Sequence, residues 1–209
     1  MDTPRLITHR DGLAWIYKPA GWNTHPTAEG GVDVVTWLDT QGKLLKGMRP
    51  AHRLDKPTSG LLVVGRRNAR SRVASSFEAG HCKKTYLALV YGRVRPIGKI
   101  EEPIDGKAAV TNVRLMGVYN VEGGCVSLLE LTPQTGRKHQ LRVHLHGIRH
   151  PIVGDGRYRR NLGIKDPSAP KRLWLHAAAL SIAGSDAVTA PLPIELSSHL
   201  DKLLRQNPA

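Results

Sequence analysis

Cysteine is nearly absent from this chain: Cys82 and Cys125 are the only two in 209 residues. They form no CxxC pair, so neither a disulfide framework nor a structural zinc site is expected, and at most one disulfide could form. No window approaches the roughly 18 uninterrupted apolar residues that a spanning helix needs. The opening MDTPRLITHRDGLAWIYKPAG has no basic start followed by an apolar run, so no secretory signal is expected. There is no internal repeat and no low-complexity segment. Acidic residues are scarce, 17 against 31 lysines and arginines, for a net charge of +14. A small protein this basic points to a polyanion, because lysine and arginine contacts to phosphate give affinity without sequence preference. Membrane surfaces and acidic proteins rank behind. With 40% hydrophobic residues the chain can bury a core. The expectation is one soluble, cytoplasmic domain over 1–209, acting as a monomer.

Several catalytic arrangements are also missing. No GK[ST] follows a glycine-rich loop, and no strand leads into GxGxxG, so neither kind of phosphate cradle is present. Ser59 sits in TSGLL rather than in a GxSxG elbow. A glycosidase would need a second well-placed acid beside Asp55; Glu101, Glu102, Asp105 and Asp155 carry no supporting context. His139, His144, His146 and His150 crowd one segment and invite a metal. No cysteine or acid accompanies them at a ligand spacing, and arginines surround them, so no metal is expected.

The pattern of apolar residues predicts strands over LAWIYK (13–18), LLVVG (61–65) and KTYLALVYGRV (84–94). Further strands are predicted over 108–119 and 125–133, the last two antiparallel through NVEGG, and over 173–182. Helices are predicted over 32–45 with Asp33 near its start, over 68–80 capped by Asn68 and ended by Gly80, over 136–147, and over 194–206. Strands outnumber dispersed helices. The fold class expected is α+β, a mixed and mostly antiparallel central sheet flanked by helices. The widest irregular stretch is 150–172.

What is present is concentrated charge. From Arg137 to Arg172 there are ten lysines and arginines against two aspartates, a local surplus of eight. A basic face of that kind is the footprint of a nucleic-acid site. In AHRLDKPTSGLL (51–62) a single carboxylate, Asp55, stands between Arg53 and Lys56, just ahead of a buried strand. A surface ion pair would explain it; so would a catalytic carboxylate held charged at the edge of a cleft. Arg137, beside Lys138 and His139 at a predicted helix start, would hold Asp55 ionised if the fold brought the two together. Taken alone, Arg137 is a solvated cation and Tyr86 a half-buried strand tyrosine.

Five stretches decide between these readings by resemblance. HRLDKPTSGLLVVG (52–65), KKTYLALVYG (83–92), TGRKHQLRVHL (135–145), HPIVGDGRY (150–158) and RLWLHAAAL (172–180) occur in this order. Together they resemble the RluA family of RNA pseudouridine synthases, and LAWIYKPAGWNTHP (13–26) looks like that family's first strand and turn. The closest likeness is to the branch that modifies transfer RNA; ribosomal RNA modifiers share most of the signatures. The resemblance implies an α+β catalytic domain with an RNA-binding cleft, here without the S4-like N-terminal module that many members carry. It implies Asp55 as the catalytic acid, Arg137 as its paired cation, and Tyr86 packed against the flipped base. Arg53 would enter the RNA stack to evict the target uridine. RNA itself would be gripped by Lys138, His139, Arg142 and Arg157 in the basic segment. Neither metal nor small-molecule cofactor is implied. The alternative is a non-catalytic basic protein that binds RNA without changing it.

Overall fold

The computed structural model describes residues 2–182 and 185–207. In chain order its elements begin with β1 (Arg5–Arg10), β2 (Leu13–Lys18), α1 (Val34–Thr40), β3 (Arg49–Pro50), β4 (Ser59–Gly65) and α2 (Arg67–Glu78). Next come β5 (Cys82–Tyr91), β6 (Gly98–Ile100), β7 (Thr111–Val121), β8 (Gly124–Pro133) and α3 (Gln140–Gly147). The chain closes with β9 (Leu175–Ile182), β10 (Val188–Thr189) and α4 (Ile194–Gln206). Largely antiparallel strands with four dispersed helices make the class α+β, as the sequence pattern implied. The chain forms two compact units: residues 1–84 with 177–191, and residues 85–176 with 192–209.

In the first unit the sheet order is β1-β2-β4-β9, with β3 on β4 and β10 on β9. Every residue of β4 is buried, as expected of a continuous apolar run with neighbours on both sides. Trp15, Tyr17, Leu61 and Val63 project to one face and pack on Val73 of α2 and on Leu180. Gly60 sits at φ +119°, and a Cβ there would lie 2.3 Å from the Ala177 carbonyl oxygen. Only glycine fits between β4 and β9, which accounts for the last letter of TSG. α1 starts where the sequence placed its cap: Asp33 accepts a hydrogen bond from the Thr36 N–H at 2.9 Å. It stops at Thr40 rather than near 45, because Gln41 is already extended; Leu45 is buried from the following turn instead. α2 begins a residue earlier than expected, and its cap is Arg66 without a side-chain bond, so Asn68 is no cap.

In the second unit β5-β8-β7-β6 pair antiparallel throughout. β7 and β8 form the predicted hairpin, closing at Val121↔Gly124. The segment 150–172 is irregular and tied down by buried polar bonds. Trp174 donates to His199 Nδ1 at 3.1 Å, and His199 Nε2 lies 2.7 Å from Asp166, which joins this segment to α4. Gly154, at φ +74°, leaves a Cβ only 1.9 Å from the Arg172 carbonyl oxygen. No helix among the described residues is long and apolar enough to cross a membrane.

Candidate active site

Asp55 lies in the first unit, half-buried, on the connection from β3 to β4. The connection is built to be rigid. His52 accepts the Val63 N–H at its Nε2, 3.1 Å away, and its ring packs on Phe77 at 5.1 Å. Next, Leu54 is clamped from both sides by one buried hydroxyl: Thr24 Oγ1 donates to its carbonyl at 2.8 Å and accepts its N–H at 3.1 Å. The Asp55 carbonyl then accepts the Thr58 N–H at 3.0 Å, closing the turn. Finally the Lys56 carbonyl accepts the Gly21 N–H at 2.8 Å and, at 3.4 Å, the ammonium of Lys18. Lys18 is fully buried, and its ammonium also donates to the carbonyls of Trp22 (2.8 Å) and Pro19 (3.1 Å). The turn at 19–22 and the turn at 55–58 are thereby stitched together by a lysine that never reaches solvent. Arg53, on the same connection, is exposed.

Thr24 is therefore a positioning residue that the sequence reading passed over. Thr24→Val keeps the shape and removes both bonds to Leu54, leaving its buried N–H and carbonyl without that partner. A loss of about 1–3 kcal/mol in unfolding free energy is expected, measured by urea denaturation, together with a fall in turnover.

Burial, with the Lys84 charge adding to it, pushes the His52 imidazole down to about 3. The ring is neutral in the fold, as its acceptor bond to Val63 requires. In the unfolded chain it takes up a proton near its ordinary value of about 6.5. Between those two values the unfolded state binds the extra proton, so stability falls as pH drops from about 6.5 toward 3, and it is insensitive to His52 above that window. His52→Gln, whose carbonyl can take over the Val63 bond, should flatten this pH dependence by about one proton in denaturation midpoints measured from pH 7 to pH 5.

The remaining candidates lie in the second unit. Tyr86 is 8% exposed in β5, paired opposite Leu131. Arg137 lies in the loop after β8, and that loop is organised by Gln140, 5% exposed at the first position of α3. Gln140 Oε1 accepts both the Thr135 hydroxyl (2.7 Å) and the Arg137 N–H (3.0 Å). Its amide nitrogen donates to the Val110 carbonyl (2.9 Å) and to Thr111 (3.0 Å). The Arg137 Nε–H then donates to the Ala108 carbonyl at 2.9 Å, which fixes the direction of the guanidinium. The helix thus starts at 140, not at 136. Arg137, Lys138 and His139 precede it, and His139 is its cap residue in the left-handed conformation, φ +54°. The predicted first-turn cluster is a structured loop instead.

Tyr158 gathers the basic segment. Its hydroxyl lies 3.0 Å from His139 Nδ1, and the guanidinium carbons of Arg142 and Arg157 lie 5.1 and 5.7 Å from its ring. The expectation that Arg142 grips RNA is corrected here. The residue is 6% exposed, and its guanidinium makes two 2.8 Å bonds to Asp155. Burial alone would raise the Asp155 carboxyl, but Arg142 and the N–H groups of Tyr158 and Arg157 outweigh it and hold it below the usual carboxylate range. Lys138 and Arg157 are exposed. The histidines have protein partners: His144 bonds Thr111 (3.0 Å) and the Glu102 carbonyl (2.9 Å), and His150 the Tyr91 carbonyl (2.8 Å). Among the described residues no group of three or more potential ligands could hold a metal ion.

The arrangement is a carboxylate on a braced turn in one unit, and an aimed arginine with a strand tyrosine in the other. The family model described as RNA pseudouridylate synthase matches residues 12–147, a span that includes Asp55, Tyr86 and Arg137. The chain belongs to this family. Uridine isomerisation in RNA is its reaction, and the chain is an isomerase of that kind. The chain is 35% identical over 200 residues to tRNA pseudouridine synthase C of Salmonella typhimurium, covering 81% of this chain and 76% of that protein. A protein of Chloroflexus aurantiacus named as an uncharacterized RNA pseudouridine synthase is 38% identical over 216 residues, covering 89% of this chain and 65% of that one. Among solved structures, human RNA pseudouridylate synthase domain containing 4 superposes with a TM-score of 0.75 at 26% identity, covering 93% of this chain and 91% of that one.

Proposed function

We propose that this synthase isomerises a uridine of transfer RNA, with Asp55 as its catalytic carboxylate and Arg137 as its paired cation. The observation that carries the assignment is the bracing of the 53–58 connection by Thr24, Lys18 and Gly21 around a half-buried carboxylate. Its transfer RNA target follows the relatives named tRNA pseudouridine synthase C. The two units act together as one catalytic domain, monomeric and cytoplasmic. Arg53 displaces the target base from the stack, Tyr86 packs against the flipped uracil, and Lys138, His139 and Arg157 hold RNA.

The chemistry needs no redox partner or group donor, because substrate and product are isomers. The N1–C1′ bond breaks, the uracil turns, and C5 joins C1′; the C5 hydrogen leaves to solvent and N1 gains a proton. Asp55 serves as nucleophile or as base toward the sugar, and both roles require the carboxylate form. Flipping the base takes a few kcal/mol of stacking, which contacts such as those of Arg53 and Tyr86 offset. Carbodiimide mapping of transfer and ribosomal RNA, with and without the protein, tests the target. A new modified uridine in transfer RNA is expected; modification confined to ribosomal RNA overturns the proposal.

A further inference from the structure

The second unit holds a recess of about 270 Å³ that neither Tyr86 nor Arg137 lines. Tyr91, Leu162 and Ile164 contribute apolar surface, and Arg159 and Arg160 contribute charge. A volume near the lower end of small-ligand sites, roughly 300 to 1,000 Å³, suits one nucleotide and not a duplex. The aspartate in its wall, Asp155, is spent: Arg142 and the N–H groups of Arg157 and Tyr158 take its oxygens. The recess therefore presents a positive surplus. Arg159 is held in place there, its Nε donating to the Gly156 carbonyl at 2.9 Å. Burial, and then the nearby Asp166, push the Tyr91 phenol upward, so its ring is a neutral aromatic surface. Asp166 itself is occupied by His199 and by Ser168.

β5 separates this recess from the tyrosine proposed for the target base. Its register on β8 is unbroken from Tyr86↔Leu131 to Tyr91↔Val126. Five residues apart, the two side chains leave opposite faces of the strand, with about 16 Å between their backbones. A base held at Tyr91 is not the base held at Tyr86.

We propose that the recess takes an unstacked nucleotide of the substrate RNA other than the uridine that is isomerised. The base lies on Tyr91 and Ile164, and its phosphate meets Arg159 and Arg160. Aromatic surface beside guanidinium groups is the combination that holds single-stranded nucleotides. The inference rests on the RNA-isomerase reading and adds a second point of grip to it. A free mononucleotide offers the same chemistry, so the test separates the two sources.

Two variants probe the site. A Cβ on Gly156 would meet nothing within 4 Å, so Gly156→Trp can fill the recess. Arg160 is exposed, so Arg160→Ala carries the test even if the first variant fails to fold. Each should raise KM for transfer RNA about tenfold with kcat at saturating RNA near wild type, and Arg160→Ala should reduce the slope of log affinity against log salt by about one. Transfer RNA containing 4-thiouridine should crosslink within 151–164 from a nucleotide other than the isomerised one. Unchanged KM and salt slope in Arg160→Ala, or crosslinks only from the isomerised position, overturn the proposal. Competition of uridine monophosphate for the recess without any effect of the variants on RNA makes the free nucleotide the ligand and overturns it too. Affinity and crosslinking need no turnover, so a wild-type protein that isomerises nothing would remove the enzyme reading while leaving this result intact.

Discussion

Asp55→Asn is expected to lower tritium release from RNA labelled at uridine C5 by a factor on the order of 10³ or more, to background, while RNA affinity stays within about threefold of wild type. Asparagine has nearly the same shape but is neither a base nor a nucleophile at neutral pH. Thr24, Lys18, Gly21 and the Thr58 N–H brace this connection through the backbone of Leu54, Asp55 and Lys56, which the substitution leaves unchanged. The turn should therefore survive the change, and the loss should be chemical. Filter binding and the release assay on the same preparation separate the two effects. Loss of binding and turnover together would make Asp55 a structural residue.

The second large effect concerns stability. Asp155→Ala leaves the Arg142 guanidinium buried without its bidentate partner, and it also strips the acceptor from the N–H groups of Arg157 and Tyr158. Breaking a buried pair from one side typically destabilises by about 3–5 kcal/mol, because the remaining charge stays out of water. Urea unfolding should show a loss of that order. Arg142→Met added to Asp155→Ala removes the stranded charge and should restore part of it, a coupling a double-mutant cycle measures directly. A single-variant loss below about 1 kcal/mol would mean that the pair is solvated in solution.

How legible these features were in the sequence depends on the range of the interactions that make them. β2, β4 and the β7–β8 hairpin follow from local apolar pattern and turn residues, and the structure has them where the pattern placed them. The Asp33 cap is equally local. α3 was misjudged because a glutamine side chain reaches back over the loop: Gln140 holds Thr135 and the Arg137 N–H, and competes with a helical turn there. Gln140 stood inside the motif TGRKHQLR, and its polarity gave no sign that it would be buried. Arg142 was read as an RNA contact from its charge alone. The carboxylate that claims it lies thirteen residues on, in a segment without regular structure, and no periodicity connects the two. The same limit applies to Lys18, whose burial depends on three carbonyls at 19, 22 and 56. Asp55 was legible for another reason: it stands in a family motif, and motif order along the chain survives without knowledge of contacts.

The most direct test is release of tritium from transfer RNA labelled at uridine C5, with nuclease digestion of the same RNA to identify the product. The account predicts that the wild-type protein frees the label and leaves pseudouridine in equal amount, without added metal or cofactor. Tight, salt-sensitive binding of the RNA with no label released would contradict it, and would leave a basic RNA-binding protein in place of an isomerase.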